Sequence, residues 1–259
     1  MRTFNARRGS AARVNPRAVL ASAAILAAGC GGSSSSSTMP AQGAQAVHVR
    51  LVDGAPALET YIGGFLEKIT PAYATLNGVT VTSALSYGTI TPFTTCAAGA
   101  ASIIARNDQG YAVGPLKTPN LTAGGHYTLI IVGAYPHYSV LAISEPATSG
   151  SAQLSLYEAS PSTAQASFGS FRASNKSEFK SLGSASYGSE VTVSLGKSVT
   201  DFGGYAGPAG APLGTVTPSQ IDSFDSKNAL PFNAVARLSL FLFDSTTSSS
   251  QRVFGSLDQ

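Results

Sequence analysis

The sequence predicts an all-β chain of two tandem immunoglobulin-like antiparallel β-sandwiches, and three observations carry that prediction. Short apolar runs with period-two alternation recur along the chain, separated by turn residues, as strands of a sandwich do. With 27 Gly and 14 Pro in 259 residues and only 11% charged residues, long amphipathic helices have too little to be built from. Three segments of the first half also return in the second at offsets of about a hundred residues, the mark of a duplicated unit.

Residues 1–29 read as an export signal. Arg2, Arg7, Arg8, Arg13 and Arg17 precede the apolar run Ala18 to Ala28, with no acid among them. That run is about a dozen residues, short of the roughly twenty that span a bilayer core. It ends in Gly29-Cys30, an order of arginines, apolar run, small residue and cysteine that resembles a bacterial lipoprotein signal. The resemblance implies cleavage between Gly29 and Cys30, and a membrane partner engaged through acyl chains on Cys30. One such chain anchors only marginally, so stable retention needs two or more. Gly31, rather than Asp, after the cysteine favours the outer membrane or periplasmic side of a Gram-negative envelope. Lipoprotein signals usually carry Leu three residues before the cysteine; here Ala27 holds that place and Leu26 lies one further back. Ordinary cleavage, giving a secreted and unanchored binding protein, is therefore the second reading.

Residues 30–45 include five consecutive serines and too little apolar surface to order themselves, so they read as a flexible tether. The first sandwich, residues 46–146, opens where Val47, Val49 and Leu51 alternate with His48 and Arg50, a half-buried strand. Further strands are expected at Ala57 to Ile62, Val79 to Leu85, Thr89 to Phe93, Ala101 to Arg106, His126 to Val132 and Val140 to Ile143. Turns are expected at Gly63-Gly64, Asn77-Gly78, Asp108 to Gly110 and Gly124-Gly125. In LTAGGHYTLIIVG, Leu121 to Gly133, a tyrosine follows a glycine turn and opens an apolar strand. This is the pattern of a tyrosine corner, so Tyr127 is read as architectural.

The second sandwich, residues 147–259, is a diverged copy. LSLYEASP from Leu154 parallels VRLVDGAP from Val49, SASYG ending at Gly188 parallels SALSYG ending at Gly88, and FNAVARLSLFLFD from Phe232 parallels LTAGGHYTLIIVG. Leu238 stands where Tyr127 would be expected, and the loop Gly203 to Gly214 has no counterpart.

Charge and motifs narrow the function. Five of 16 basic residues lie in the signal, leaving 11 against 13 acids, so the mature body is slightly acidic and nucleic acid is not an expected partner. Of the two cysteines, Cys96 reads as a small buried hydrophobe. The S-x-x-K matches at Ser177 to Lys180 and Ser194 to Lys197 open no apolar helix. His48, His126 and His137 lack a spacing that would bring two onto one face, so neither a metal site nor a cofactor is expected. Glu59, Glu67, Asp222 and Asp225 are too dispersed to nominate an acid and base pair. The turn AYPHYS, residues 134–139, gathers Tyr135, His137 and Tyr138 around a proline and is the candidate ligand-binding site.

The run VRLVDGAPALETYIGG from Val49, then Tyr87-Gly88, TPFTTCAAG ending at Gly99, and LTAGGHYTLIIVG resemble the bacterial family known as domain of unknown function 4397. The turn after Val52 is shorter here, and Asp53 stands where members often carry histidine. The resemblance implies an exported, often lipid-anchored β module and no catalytic residue. The expectation is thus a non-enzymatic, lipid-anchored cell-envelope protein that acts as a structural or ligand-binding module, with an envelope polymer or protein as partner. A hydrolase of envelope polymers with an irregular site is the remaining alternative.

Overall fold

In the computed structural model, residues 46–146, 153–172, 175–194, 201–206, 214–216, 237–245 and 251–258 are described. Every regular element among them is a strand. The expected export signal, with Gly29 and Cys30, and the expected tether lie outside these residues, as do Asp222 and Asp225.

The first repeat contains β1 (Ala46–Asp53), β2 (Glu59–Ile62), β3 (Phe65–Lys68), β4 (Ala72–Leu76), β5 (Val79–Leu85), β6 (Thr94–Ala97), β7 (Gly99–Arg106), β8 (Ala112–Leu121), β9 (His126–Ala134) and β10 (His137–Ser144). One sheet runs β10-β9-β1-β6 and faces a second of order β5-β4-β7-β8, while β2 and β3 form a separate hairpin. Pairing is antiparallel except for β1 with β9, which run parallel from His48↔His126 to Asp53↔Ile131. The expected turns close these hairpins. Gly63 and Gly64 join β2 to β3, and Asn77-Gly78 joins β4 to β5, all four at positive φ, as the tight turns between right-twisted strands require.

The second repeat contains β11 (Gln153–Glu158), β12 (Gln165–Arg172), β13 (Asn175–Ser186), β14 (Ser189–Ser194), β15 (Asp201–Ala206), β16 (Gly214–Val216), β17 (Arg237–Asp244) and β18 (Gln251–Asp258). Its sheets run β14-β11-β17-β18 and β13-β12-β15-β16. The order repeats strand for strand, and β11 again runs parallel to its central neighbour β17. The motif parallels fall on equivalent places: Gly88 N–H donates to the Asp53 carbonyl at 2.7 Å and Gly188 N–H to the Glu158 carbonyl at 2.9 Å. Val49 pairs with Tyr127, and Leu154 with Leu238. Tyr127 accepts the Thr122 N–H at 3.1 Å, so the expected tyrosine corner is present.

Alternation along the central strands builds three cores. Val47, Val49, Leu51, Leu129 and Ile131 face the first sandwich interior, and Leu154, Leu156, Leu238, Leu240 and Leu242 face the second. The intervening residues Val52, Ile130, Val132, Tyr157, Phe241 and Phe243 form a third cluster shared by both repeats. The strands therefore belong to one compact unit. The inner sheets β10-β9-β1-β6 and β14-β11-β17-β18 meet back to back, and their central strands are buried on both faces.

Several expectations are corrected. Arg50, read as facing solvent, is buried because the second sandwich covers that face. Thr89 to Phe93 forms only a single bridge, Val52↔Ile90, since Pro92 has no N–H to extend a ladder. The strand expected at Ala57 starts at Glu59, and β3, β4, β6 and β8 were not expected. Ser177 to Lys180 lies within β13, and Leu195 to Lys197 lie outside the described residues.

Gly88 holds the seam between the sandwiches together locally. Its φ is +84°, and a Cβ there would lie 2.2 Å from the Phe254 ring. Gly88→Ala should lower stability by about 2 kcal/mol or more, since it combines left-handed strain with overpacking; a urea midpoint equal to the parent's would refute this packing.

Candidate functional site

The candidate turn joins β9 to β10 and is built as a tight hairpin, with Gly133 at positive φ and Ala134 paired to His137. Tyr135 and Tyr138 line a cleft of about 320 Å³ together with Glu59, Thr60, Gly114, Pro115 and Pro136. Tyr135 is 39% exposed and stacks against Tyr61 at 6.3 Å between ring centroids, with 24° between the planes. Tyr138 has a different job. Its hydroxyl donates to the Ala57 carbonyl and accepts the Glu59 N–H, both at 2.8 Å, which pins the approach to β2. Burial pushes its phenol pKa up. His137 is exposed and is not among the lining residues. The structure thus brings two of the three expected residues to one cleft, adds Glu59 to its lining and sets Tyr61 against the Tyr135 ring; sequence reasoning missed both because they lie about 75 residues away on a separate hairpin.

The seam carries the strongest electrostatics. Glu145, just past β10, accepts from Arg50 Nη2 at 2.7 Å, from Tyr157 Oη at 2.9 Å and from Thr128 Oγ1 through Oε1, and from Arg237 through Oε2. Arg50 also bonds Thr128 Oγ1 at 2.8 Å and Ser239 Oγ at 3.0 Å, and its guanidinium lies 5.0 to 5.7 Å from the Phe93, Phe241 and Tyr157 ring centroids. Burial alone would raise the Glu145 pKa, but Arg50, the Thr128 and Tyr157 hydroxyls and Arg237 outweigh it, so the carboxyl titrates below its ordinary range.

Two further acids are buried without such help. Asp53 and Glu158 occupy equivalent positions, and each accepts a backbone N–H two residues on, from Ala55 at 3.1 Å and Ser160 at 2.8 Å. Their other oxygens, Asp53 Oδ2 and Glu158 Oε2, have no partner among the described residues. Desolvation raises Asp53 to about 7 and Glu158 to about 8.

Contrary to expectation, two histidines do share a face. The parallel register sets His48 beside His126, their rings stacked with centroids 4.5 Å apart; local spacing carries no trace of this, because the pairing is non-local. Among the described residues, no group of three or more His, Cys, Asp or Glu is placed to hold a metal. Cys96 is half-buried against the first core, and burial raises its thiol pKa.

Residues 47–167 match the model of the family described as "Domain of unknown function (DUF4397)". No curated protein matches the chain.

Removing Glu145 would leave two buried guanidinium groups uncompensated. Glu145→Ala should cost about 3–5 kcal/mol, read from denaturant unfolding; a loss within the range of an exposed substitution would contradict the burial of the network. The raised acids predict a pH trend of opposite sign to that of Glu145. Between the ordinary carboxylate range and about pH 7 to 8, the folded protein holds protons that the unfolded chain has released, so stability falls as pH rises. The Glu145 contribution is present above that range and is lost only as pH falls through its lowered value. Melting temperature should therefore drop from about pH 5 to pH 8, and Asp53→Asn should flatten the drop; an unchanged slope in that variant would refute the assignment.

Proposed function

Because residues 47–167 carry the DUF4397 domain, whose description assigns it no activity, we propose that the chain is a lipid-anchored, non-enzymatic binding or structural module of the bacterial cell envelope. The observation that carries this reading is the order of the first 45 residues: arginines, a short apolar run, Gly29-Cys30, then a Gly- and Ser-rich tether ahead of the first strand. Acyl chains on Cys30 hold the protein to the membrane, the tether gives reach of about 5–6 Å times the square root of its length, and the body presents its loops to an envelope polymer or protein.

The fold supports a binding role in two ways. Asp53, a strongly perturbed carboxylate, is fully buried, whereas a general acid or base must reach its substrate. The Tyr61 and Tyr135 rings, by contrast, stand exposed beside a cleft, where aromatic faces offer contact area at low entropic cost. The alternative of an unanchored, secreted binding protein is favoured by one feature, Ala27 in the place where lipoprotein signals usually carry leucine.

Fractionation of cells expressing the parent and Cys30→Ala separates the two. The parent should stay with membranes and show an intact mass above that of the polypeptide by two or more fatty chains, and the variant should be released. Equal membrane retention of both, or a parent mass without fatty chains, would overturn the anchor. For the cleft, Tyr135→Ala should weaken retention on isolated envelope polymer by about tenfold while melting like the parent; unchanged retention would remove the cleft from the binding account.

A further inference from the structure

The corner of the second sandwich around Glu158 is rich in oxygen, and Arg252, whose charge bears on the adjoining Tyr87, forms no ion pair with its carboxylates among the described residues. Glu158 is fully buried, with Oε1 on the Ser160 N–H and Oε2 unpartnered. Ser160 Oγ in turn donates to Asp244 Oδ1, and Ser162 Oγ reaches the same oxygen at 2.5 Å. The two carboxylates are thus bridged by one residue, and the Asp244 charge bears on Glu158. Gln251, paired with Asp244 across β17 and β18, donates its Nε2 to Ser162 Oγ at 2.9 Å and leaves a buried Oε1 without a partner. Of the four buried unpartnered side-chain atoms among the described residues, two therefore lie in this corner, and both are acceptors. Neither carboxylate has an ion-pair partner among the described residues.

The duplication supplies an internal comparison. Gly54 N–H bonds the Ile131 carbonyl as Ala159 N–H bonds that of Leu242, which aligns Gly133 with Asp244 and Ala55 and Ala57 with Ser160 and Ser162. The strand partner of Gly133 is Tyr138 and that of Asp244 is Gln251. In the first sandwich the Tyr138 phenol fills the corner and bonds backbone there. In the second, the same positions carry an acid, two hydroxyls and an amide. A cation held between Glu158 and Asp244 would give these acceptors an electropositive neighbour.

We propose that Glu158, Ser160, Ser162, Asp244 and Gln251 form a site for a hard divalent cation of the calcium class, which binds six to eight oxygens in flexible geometry. Two carboxylates neutralise its charge, the amide and hydroxyl oxygens add ligands, and water completes the shell. Ser162 is exposed and Asp244 and Gln251 are half-buried, so the site opens to solvent. Tyr87 of the first repeat donates to the Asp244 carbonyl at 2.5 Å, so an ion held here also firms the seam. The site is independent of the Tyr135 cleft and of the lipid anchor.

The test is titration calorimetry of the full chain in detergent, stripped with chelator and titrated with calcium chloride. One equivalent should bind, with a dissociation constant of about 10⁻⁴ to 10⁻³ M as for extracellular calcium modules, and the melting temperature should rise. Asp244→Asn should abolish the binding, Ser162→Ala should weaken it about tenfold, and Asp53→Asn, which alters the equivalent corner of the other sandwich, should leave it unchanged. Absence of saturable binding, loss of binding in Asp53→Asn, or binding that survives Asp244→Asn would overturn the site. Should the Asn variant not fold, undiminished binding in Ser162→Ala, whose side chain is exposed, overturns it instead.

Discussion

A single carboxylate, Glu145, sits between two arginines in the seam of the molecule, and the arrangement of both sandwiches follows from it. Arg50 comes from the first strand of the first repeat, Arg237 from a central strand of the second, and Glu145 from the segment that connects them. Taking three charges out of water costs several kcal/mol per ion, and such a group persists only where its geometry satisfies each one. Here the Thr128, Tyr157 and Ser239 hydroxyls and three aromatic faces surround Arg50, and Arg237 also bonds the Pro146 carbonyl, with its Nε alone in the cluster lacking a partner among the described residues. An apolar seam alone would tolerate sliding of one sheet over the other. The ionic cluster fixes their register, because any shift strands a buried charge.

Around that fixed seam the two copies have diverged in their corners and kept their frame. Sheet order, the parallel central pair and the glycine after each Tyr187- or Tyr87-type turn are retained. The tyrosine corner at Tyr127 gives way to Leu238, which is buried, whereas the Tyr127 hydroxyl reaches Thr122 near the surface. The phenol of Tyr138 gives way to the amide of Gln251. Each change falls at the start of a strand, where it alters the adjoining corner and leaves the sheet order intact.

What could be read in the sequence is what short-range pattern encodes. Alternation locates β1, β5, β7, β9 and β10, glycine-containing clusters locate the turns, and a tyrosine placed after a glycine turn at the head of an apolar strand locates the corner. The strands that escaped notice lack the pattern: Phe65–Lys68 is exposed throughout, Ala72–Leu76 is mostly small residues, and Ala112–Leu121 contains two prolines, tolerated because β8 is an edge strand. Arg50 departs from its local pattern for a deeper reason. Its alternation with valines is that of a half-solvated strand, and only the presence of a second sandwich on the other face buries it. The unbroken apolar character of LIIV and LFLF in β9 and β17 was the available signal, since strands covered on both faces read as continuous hydrophobic runs. The Tyr61 and Tyr135 stack and the His48 and His126 pair join residues about 75 apart, which no local pattern reports.

The functional reading joins a tethered N-terminus to a body whose two halves act as one block, so that a ligand held at one end is held against the whole. Scanning calorimetry of the full chain tests that unity most directly. A seam fixed by Glu145 predicts one transition whose calorimetric and van't Hoff enthalpies agree. Two resolved transitions, or a calorimetric enthalpy about twice the van't Hoff value, would show that the sandwiches unfold separately and would contradict the account.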